Sequence, residues 1–307
     1  MNVDKCISKC LRGVDRVLNY RYTDILDPLI SFLKERNQVI TTYVGSYSSP
    51  AKYALLVLRS ITKYNAYFFK PNELTYYVAP YDEGRELSVL IFAYPDGLSD
   101  LNILLDQIRY TGHDYLIIVP EELPRILSYK VPKDKLINLE LGNDLIRYWI
   151  LATHLLIGNV IPKLCSKGVR SDRLLNEATN ISPDVVHDLI NHYENEITNI
   201  SRTLLHPVVI TATPTMWGVA EYLALSNEIK SLRILSTLDQ VSKYVTHVNN
   251  VLLIDTDVEE YSLKSIKGLT LTAATNINEL KLHTDPLTAP FYGLILARVI
   301  ECITSSR

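Results

Sequence analysis

The chain has 307 residues, 47% of them hydrophobic, a net charge of −3 and a pI near 6.2. That length passes the roughly 250–300 residues at which a single hydrophobic core stops growing, so two subdomains are expected. Scattered lysines and arginines exclude a basic nucleic-acid footprint, and cysteines at 6, 10, 165 and 302 are too few and too spread for a disulfide framework or a zinc ribbon.

In chain order, helices are expected at 2–18 and 23–36, the second with Ile25, Leu26, Leu29, Ile30, Phe32 and Leu33 at helical spacing, both packing across a sheet. Strand Val39–Val44 enters the turn Gly45-Ser46-Tyr47-Ser48-Ser49-Pro50, and serine before proline starts the next helix. Further apolar runs follow at Ala66–Phe69, Leu87–Ala93 and Tyr115–Val119. Leu87–Ala93 is nearly all apolar, as a parallel strand covered on both faces requires, and it ends in Tyr94-Pro95-Asp96-Gly97-Leu98-Ser99. Pro120-Glu121-Glu122 reads as a helix start with acidic residues in its first turn.

Residues 142–203 read as a helical bridge, with one long helix through Leu145, Trp149 and Leu156 and another through Val185, Leu189, His192, Ile197 and Ile200. Gly168 and the polar stretch 166–172 mark the boundary. Beyond it the pattern recurs with Val208–Ala212, Leu232–Leu235, Val251–Ile254 and Leu269–Ala273, the offset between copies shrinking from 169 (Val39 to Val208) to 154 (Tyr115 to Leu269). The fold class is therefore α/β, with two doubly wound, flavodoxin-type parallel-sheet lobes joined by long helices: residues 1–165 hold the N-terminal helices and first lobe, residues 166–307 the second. No run of about 18–20 apolar residues and no leader pattern is read, so a cytoplasmic protein without membrane or nucleic-acid partners is expected.

Ligands of open parallel sheets bind beyond the carboxyl ends of the strands, which directs attention to the turns Gly45–Pro50, Tyr94–Ser99 and Ala212–Trp217. Hydroxyls and free N–H groups at a helix start suit an anion, and Gly45-Ser46-Tyr47-Ser48-Ser49 supplies three serines; a helix-capping role accounts for them equally well. The seven histidines form no metal-ligand spacing, and there is no G-x-G-x-x-G, P-loop or G-x-S-x-G motif, so neither a metal nor another cofactor is expected.

Through these turns the chain resembles the sugar isomerase (SIS) domain family over most of its length, as two tandem copies. The family's Gly-Ser-Gly-Ser/Thr-Ser turn is similar to Gly45-Ser46-Tyr47-Ser48-Ser49, and its Ser-x-Ser-Gly-x-Thr turn aligns with Tyr94-Pro95-Asp96-Gly97-Leu98-Ser99. The resemblance implies a sugar or sugar phosphate held by Gly45, Ser46, Ser48, Ser49, Tyr94, Asp96, Gly97 and Ser99. Tyr94 and Asp96 replace family serines, and an ionised aspartate repels a phosphate. Either Asp96 points away, or the ligand is not phosphorylated, or the carboxylate meets a sugar hydroxyl or an amine.

The second copy is similar to the bifunctional phosphoglucose/phosphomannose isomerases and to the isomerase half of glucosamine-6-phosphate synthase. That likeness implies aldose–ketose isomerisation through a cis-enediol, with Glu228 as the base and His247, nineteen residues on, assisting ring opening. It also implies a basic residue near the C-terminus, for which Arg307 or Lys230 would substitute. The alternative is a non-catalytic sugar-binding or regulatory protein that kept the pocket. A homodimer is expected, from the resemblance and from apolar surplus on helices at 142–157 and 287–303.

Overall fold

The computed structural model describes the chain apart from residues 1–2, 21, 35–37, 82–86, 166–167, 246, 265, 269–275 and 307. It divides into two compact units, residues 20–179 and residues 1–19 with 180–307. Helix α1 (Val3–Leu18) thus belongs with the C-terminal half, where it packs on the final helix, whereas the sequence reading grouped it with the first lobe. An amphipathic helix advertises a face to bury but not the partner that buries it.

In the unit 20–179, α2 (Thr23–Lys34) precedes β1 (Gln38–Val44), α3 (Ser49–Ile61), β2 (Asn65–Phe68), β3 (Ser88–Ala93), α4 (Leu98–Tyr110), β4 (Asp114–Val119) and β5 (Leu136–Asn138). The strands form one parallel sheet in the order β2-β1-β3-β4-β5. All six residues of β3 are buried, as its nearly all-apolar run requires of a strand covered on both faces. One face packs Ile40, Val89, Ile91 and Ile117 against Leu101, Leu104, Leu105 and Ile108 of α4. The other receives α3, backed by α5 (Trp149–Val160), every residue of which is buried.

Three sequence expectations change here. Pro120–Glu122 does not start a helix; the helical turn lies at Arg125–Ser128. The long helix expected from 142 is broken at Ile146–Tyr148, and Ile161–Leu164 continues α5 as a 3₁₀ turn. The segment Gly142–Leu164 is long and apolar enough to cross a membrane, contrary to the sequence reading, but 89% of its most apolar window is buried inside the protein, which makes it a core helix.

After α6 (Val169–Asn180), the second unit contains α7 (Pro183–His192), α8 (Glu194–Thr203), β6 (Val208–Ala212), α9 (Trp217–Leu225), β7 (Arg233–Leu235), β8 (Asn250–Thr256), β9 (Asn276–Leu282) and α10 (Ala289–Ser305). Its parallel sheet runs β7-β6-β8-β9, the same order as β2-β1-β3-β4. The single helix expected over 185–200 is two, interrupted at Tyr193 (φ −102°, ψ 20°). The Ser182 hydroxyl caps α7 by accepting the Val185 N–H at 3.3 Å. Leu269–Ala273, expected as a strand, lies outside the described residues, as does Arg307. Cys302 is disulfide-bonded, which cysteine spacing did not suggest, while Cys165 is a half-buried thiol.

Candidate functional site

The site in the first unit begins with two glycines that touch. Gly45, one residue past β1, has φ +95°, a conformation that a side chain disfavours. A Cβ there would lie 2.2 Å from Asp96 Oδ1, and a Cβ on Gly97 would lie 2.2 Å from Gly45 N and 2.6 Å from Gly45 Cα. The turns after β1 and β3 therefore meet backbone to backbone. The Tyr94 N–H donates to the Val44 carbonyl at 2.9 Å and fixes their register.

Across this contact the Asp96 carboxylate reaches the serine turn. The Ser46 N–H donates to Asp96 Oδ1 at 3.0 Å, and the Ser46 hydroxyl donates to Oδ2. Asp96 thus neither points away nor waits for a ligand group; it occupies the donors that an incoming anion would use. Carboxylates accept such charge-assisted bonds as phosphates do.

Beside it lies a cleft of about 570 Å³, lined by Gly45, Ser46, Asp96 and Gly97, by Tyr43 and Asp100, and by Lys70–Glu73. It sits between β1 and β3, where the strand order reverses, the position at which open α/β sheets bind ligands. Three carboxylates (Glu73, Asp96, Asp100) face one ammonium, Lys70. A unit negative charge 4 Å from one such carboxylate meets repulsion of about 1 kcal/mol in water and about 4 kcal/mol in a half-desolvated cleft. Hydroxyls or an ammonium on the ligand meet no such penalty.

Of the expected binding residues, Gly45, Ser46, Asp96 and Gly97 line the cleft. Ser48 and Ser49 are buried at the start of α3, outside the lining. Tyr94 is half-buried, edge-on to Tyr47 at 4.7 Å; burial, then the charges of Asp96 and Glu121, push its phenol pKa up. Ser99 is exposed in the first turn of α4.

In the second unit, Glu228 and His247 are both exposed in turns. Glu228 follows the carboxyl end of α9, its N–H donating to the Ser226 hydroxyl at 3.2 Å. The buried carboxylate of that helix is Glu221, which accepts the Trp217 indole N–H at 3.3 Å. Glu301 of α10 is also buried, paired with Arg298 and accepting the Tyr222 hydroxyl at 2.6 Å and the Ser226 hydroxyl. Asp255, fully buried on β8, has its pKa raised to about 7, first by burial and then by the charge of Glu279, against the opposing pull of Lys281 and Lys267.

Glu259 escaped sequence reasoning altogether. Its Oε2 accepts the hydroxyls of Thr213 at 2.7 Å, Thr256 at 3.1 Å and Thr215, and the Thr215 N–H points at Oε1 from 3.5 Å. The missed signal is position: Asp96 stands three residues past the end of β3 (Ala93), and Glu259 three past the end of β8 (Thr256). Among the described residues, no group of three His, Cys, Asp or Glu side chains converges as a metal site.

Compared by sequence, the chain matches no protein-family model and no curated protein. Solved structures match its fold across nearly the whole length. The C-terminal domain of glucosamine-fructose-6-phosphate aminotransferase from Francisella tularensis aligns with TM-score 0.67 at 12% identity, covering 100% of this chain and 96% of that one. This is the sugar isomerase domain fold. Other structures with this fold include a candidate sugar-binding protein of Salmonella typhimurium LT2 (TM-score 0.67, 16% identity, 98% of each chain). Another is tagatose-6-phosphate ketose/aldose isomerase of Escherichia coli (TM-score 0.61, 12% identity, 99% of this chain and 93% of that one). At such identities the sugar isomerase domain likeness describes architecture, and the site must be argued from its own residues.

Proposed function

We propose that this chain is a sugar-binding protein of the sugar isomerase domain fold whose first-lobe cleft takes an unphosphorylated sugar or amino sugar, without isomerase turnover. The observation that carries the reading is Asp96 holding both the N–H and the hydroxyl of Ser46. A phosphate would have to displace that carboxylate and then sit among Glu73, Asp96 and Asp100. Sugar hydroxyls can donate to the same carboxylates, and an ammonium gains from them.

The competing reading is a phosphosugar isomerase, favoured by the fold shared with enzymes of that name. It would place Glu228 as base and His247 as ring-opening group. A general base works within hydrogen-bond reach of its proton in a water-poor site, and the exposure of both side chains argues for binding alone. The apolar residues at 142–157 and 287–303 that suggested a homodimer are mostly buried within the chain, so a dimer in the cytoplasm rests on resemblance only. Sedimentation distinguishes a 34.9 kDa monomer from its dimer.

The test is a thermal-shift titration with glucose, fructose, glucosamine and their 6-phosphates. A ligand at 100 times its Kd adds about 2.7 kcal/mol to the folded state. The wild type is expected to respond to an unphosphorylated sugar, and Asp96→Ser to shift the preference toward the phosphate. A saturable response of the wild type to a phosphosugar, lost in Ser46→Ala, would overturn the reading and call for turnover measurements on Glu228→Gln.

A further inference from the structure

The second unit repeats the arrangement around Asp96 with different residues. The turn after β6 presents Thr213 and Thr215, the end of β8 presents Thr256, and Glu259 reaches back across them from the same position, three residues past its strand, that Asp96 holds in the first unit. Thr213 and Thr256 are fully buried, so their hydroxyls have exchanged water for this one carboxylate. Three hydroxyls and a backbone N–H converging on one carboxylate form an arrangement made for an oxyanion. Among the described residues no lysine pairs with Glu259; Lys281 pairs with Glu260 and Glu279.

We propose that Thr213, Thr215 and Thr256 form an oxyanion-binding site whose resident ligand is the chain's own Glu259. An external carboxylate or phosphate occupies it only where Glu259 is removed or displaced. The inference is independent of which sugar the first unit binds. Its physical basis is that an intramolecular carboxylate, tethered at high effective concentration, outcompetes a free anion for the same donors. Two different acids, Asp and Glu, at the same offset behind two different hydroxyl sets, serine and threonine, point to one requirement met twice: each strand-end cradle is filled from within.

The test is chemical rescue in the full chain. Glu259→Ala is expected to melt below the wild type and to regain much of the lost midpoint, saturably, in sodium acetate or inorganic phosphate but not in sodium chloride of equal ionic strength. The wild type should respond to none of these salts specifically. Methyl NMR should confine the acetate-induced shifts of Glu259→Ala to Thr213, Thr215 and Thr256, and adding Thr256→Val should weaken the rescue. Equal behaviour in acetate, phosphate and chloride would overturn the proposal and leave Glu259 a loop staple. Where Glu259→Ala fails to fold, the isosteric Glu259→Gln decides: a midpoint below the wild type is expected, and an unchanged one refutes the need for an anion.

Discussion

Replacing Gly97 by alanine tests the contact on which the first cleft is built. The added Cβ would lie 2.2 Å from Gly45 N, 2.6 Å from Gly45 Cα and 2.7 Å from the Val44 carbonyl carbon, all backbone atoms that no rotamer change can move. Relief requires the turns after β1 and β3 to separate by about 1 Å, since ordinary contacts of this kind begin near 3.4 Å. Overpacking of this kind costs about 1–3 kcal/mol. Separation also strains the Tyr94-to-Val44 hydrogen bond and pulls Asp96 from Ser46, at about 1 kcal/mol for each bond lost. With both Ser46–Asp96 bonds lost the sum is about 3–5 kcal/mol, or roughly 6–20 °C in Tm for a unit of this size. Gly112→Ala is the control: its φ of +74° is left-handed, unlike the −108° of Gly97, but nothing lies within 4 Å of its Cβ position, so only the backbone cost of about 1–2 kcal/mol applies. Thermal and urea melts of both variants would be compared. If Gly97→Ala proves no less stable than Gly112→Ala, the close approach does not hold the turns together and the description of the cleft fails.

Two further outcomes are expected. Glu301→Ala should cost about 3–5 kcal/mol, because it leaves Arg298 charged and buried, whereas the double change Glu301→Met with Arg298→Met should recover most of that loss; urea melts of the single and double variants give the coupling. His154 is buried and stacked on Tyr53 at 4.1 Å, and burial lowers its pKa to about 3. Its folded pKa lies below the unfolded value near 6.5, so this contribution to stability is complete above about pH 6.5 and is lost as pH falls toward 3. The upper bound is about 4–5 kcal/mol. His154→Phe keeps a ring against Tyr53 and should flatten that acid limb in urea melts taken from pH 7 to 4; an unchanged limb would assign it to other groups.

Much of the architecture was legible in the residues because hydrophobic burial leaves a local mark. Strands β1, β3, β4, β6 and β8 contain the predominantly apolar runs of the sequence, and strands covered on both faces show no regular polar side. β5, three residues long, and β9, reading Asn-Ile-Asn-Glu-Leu-Lys-Leu, lie at the ends of the strand orders among the described residues, and their mixed composition hid them. Gly45, Gly97 and Asp96 stood out as turn residues in the right order along the chain, so the place of the cleft could be read.

What that place contains was a tertiary matter. Asp96 lies 50 positions from Ser46 and Glu259 lies 46 from Thr213, distances over which no periodicity connects one side chain to another. Parallel pairing of β1 with β3, and of β6 with β8, brings those strand ends side by side and sets each carboxylate against its hydroxyls. Composition and apolar spacing determined that the chain would build two parallel sheets. The register of those sheets decided that Asp96 and Glu259 close onto the serine and threonine turns beyond the strand ends.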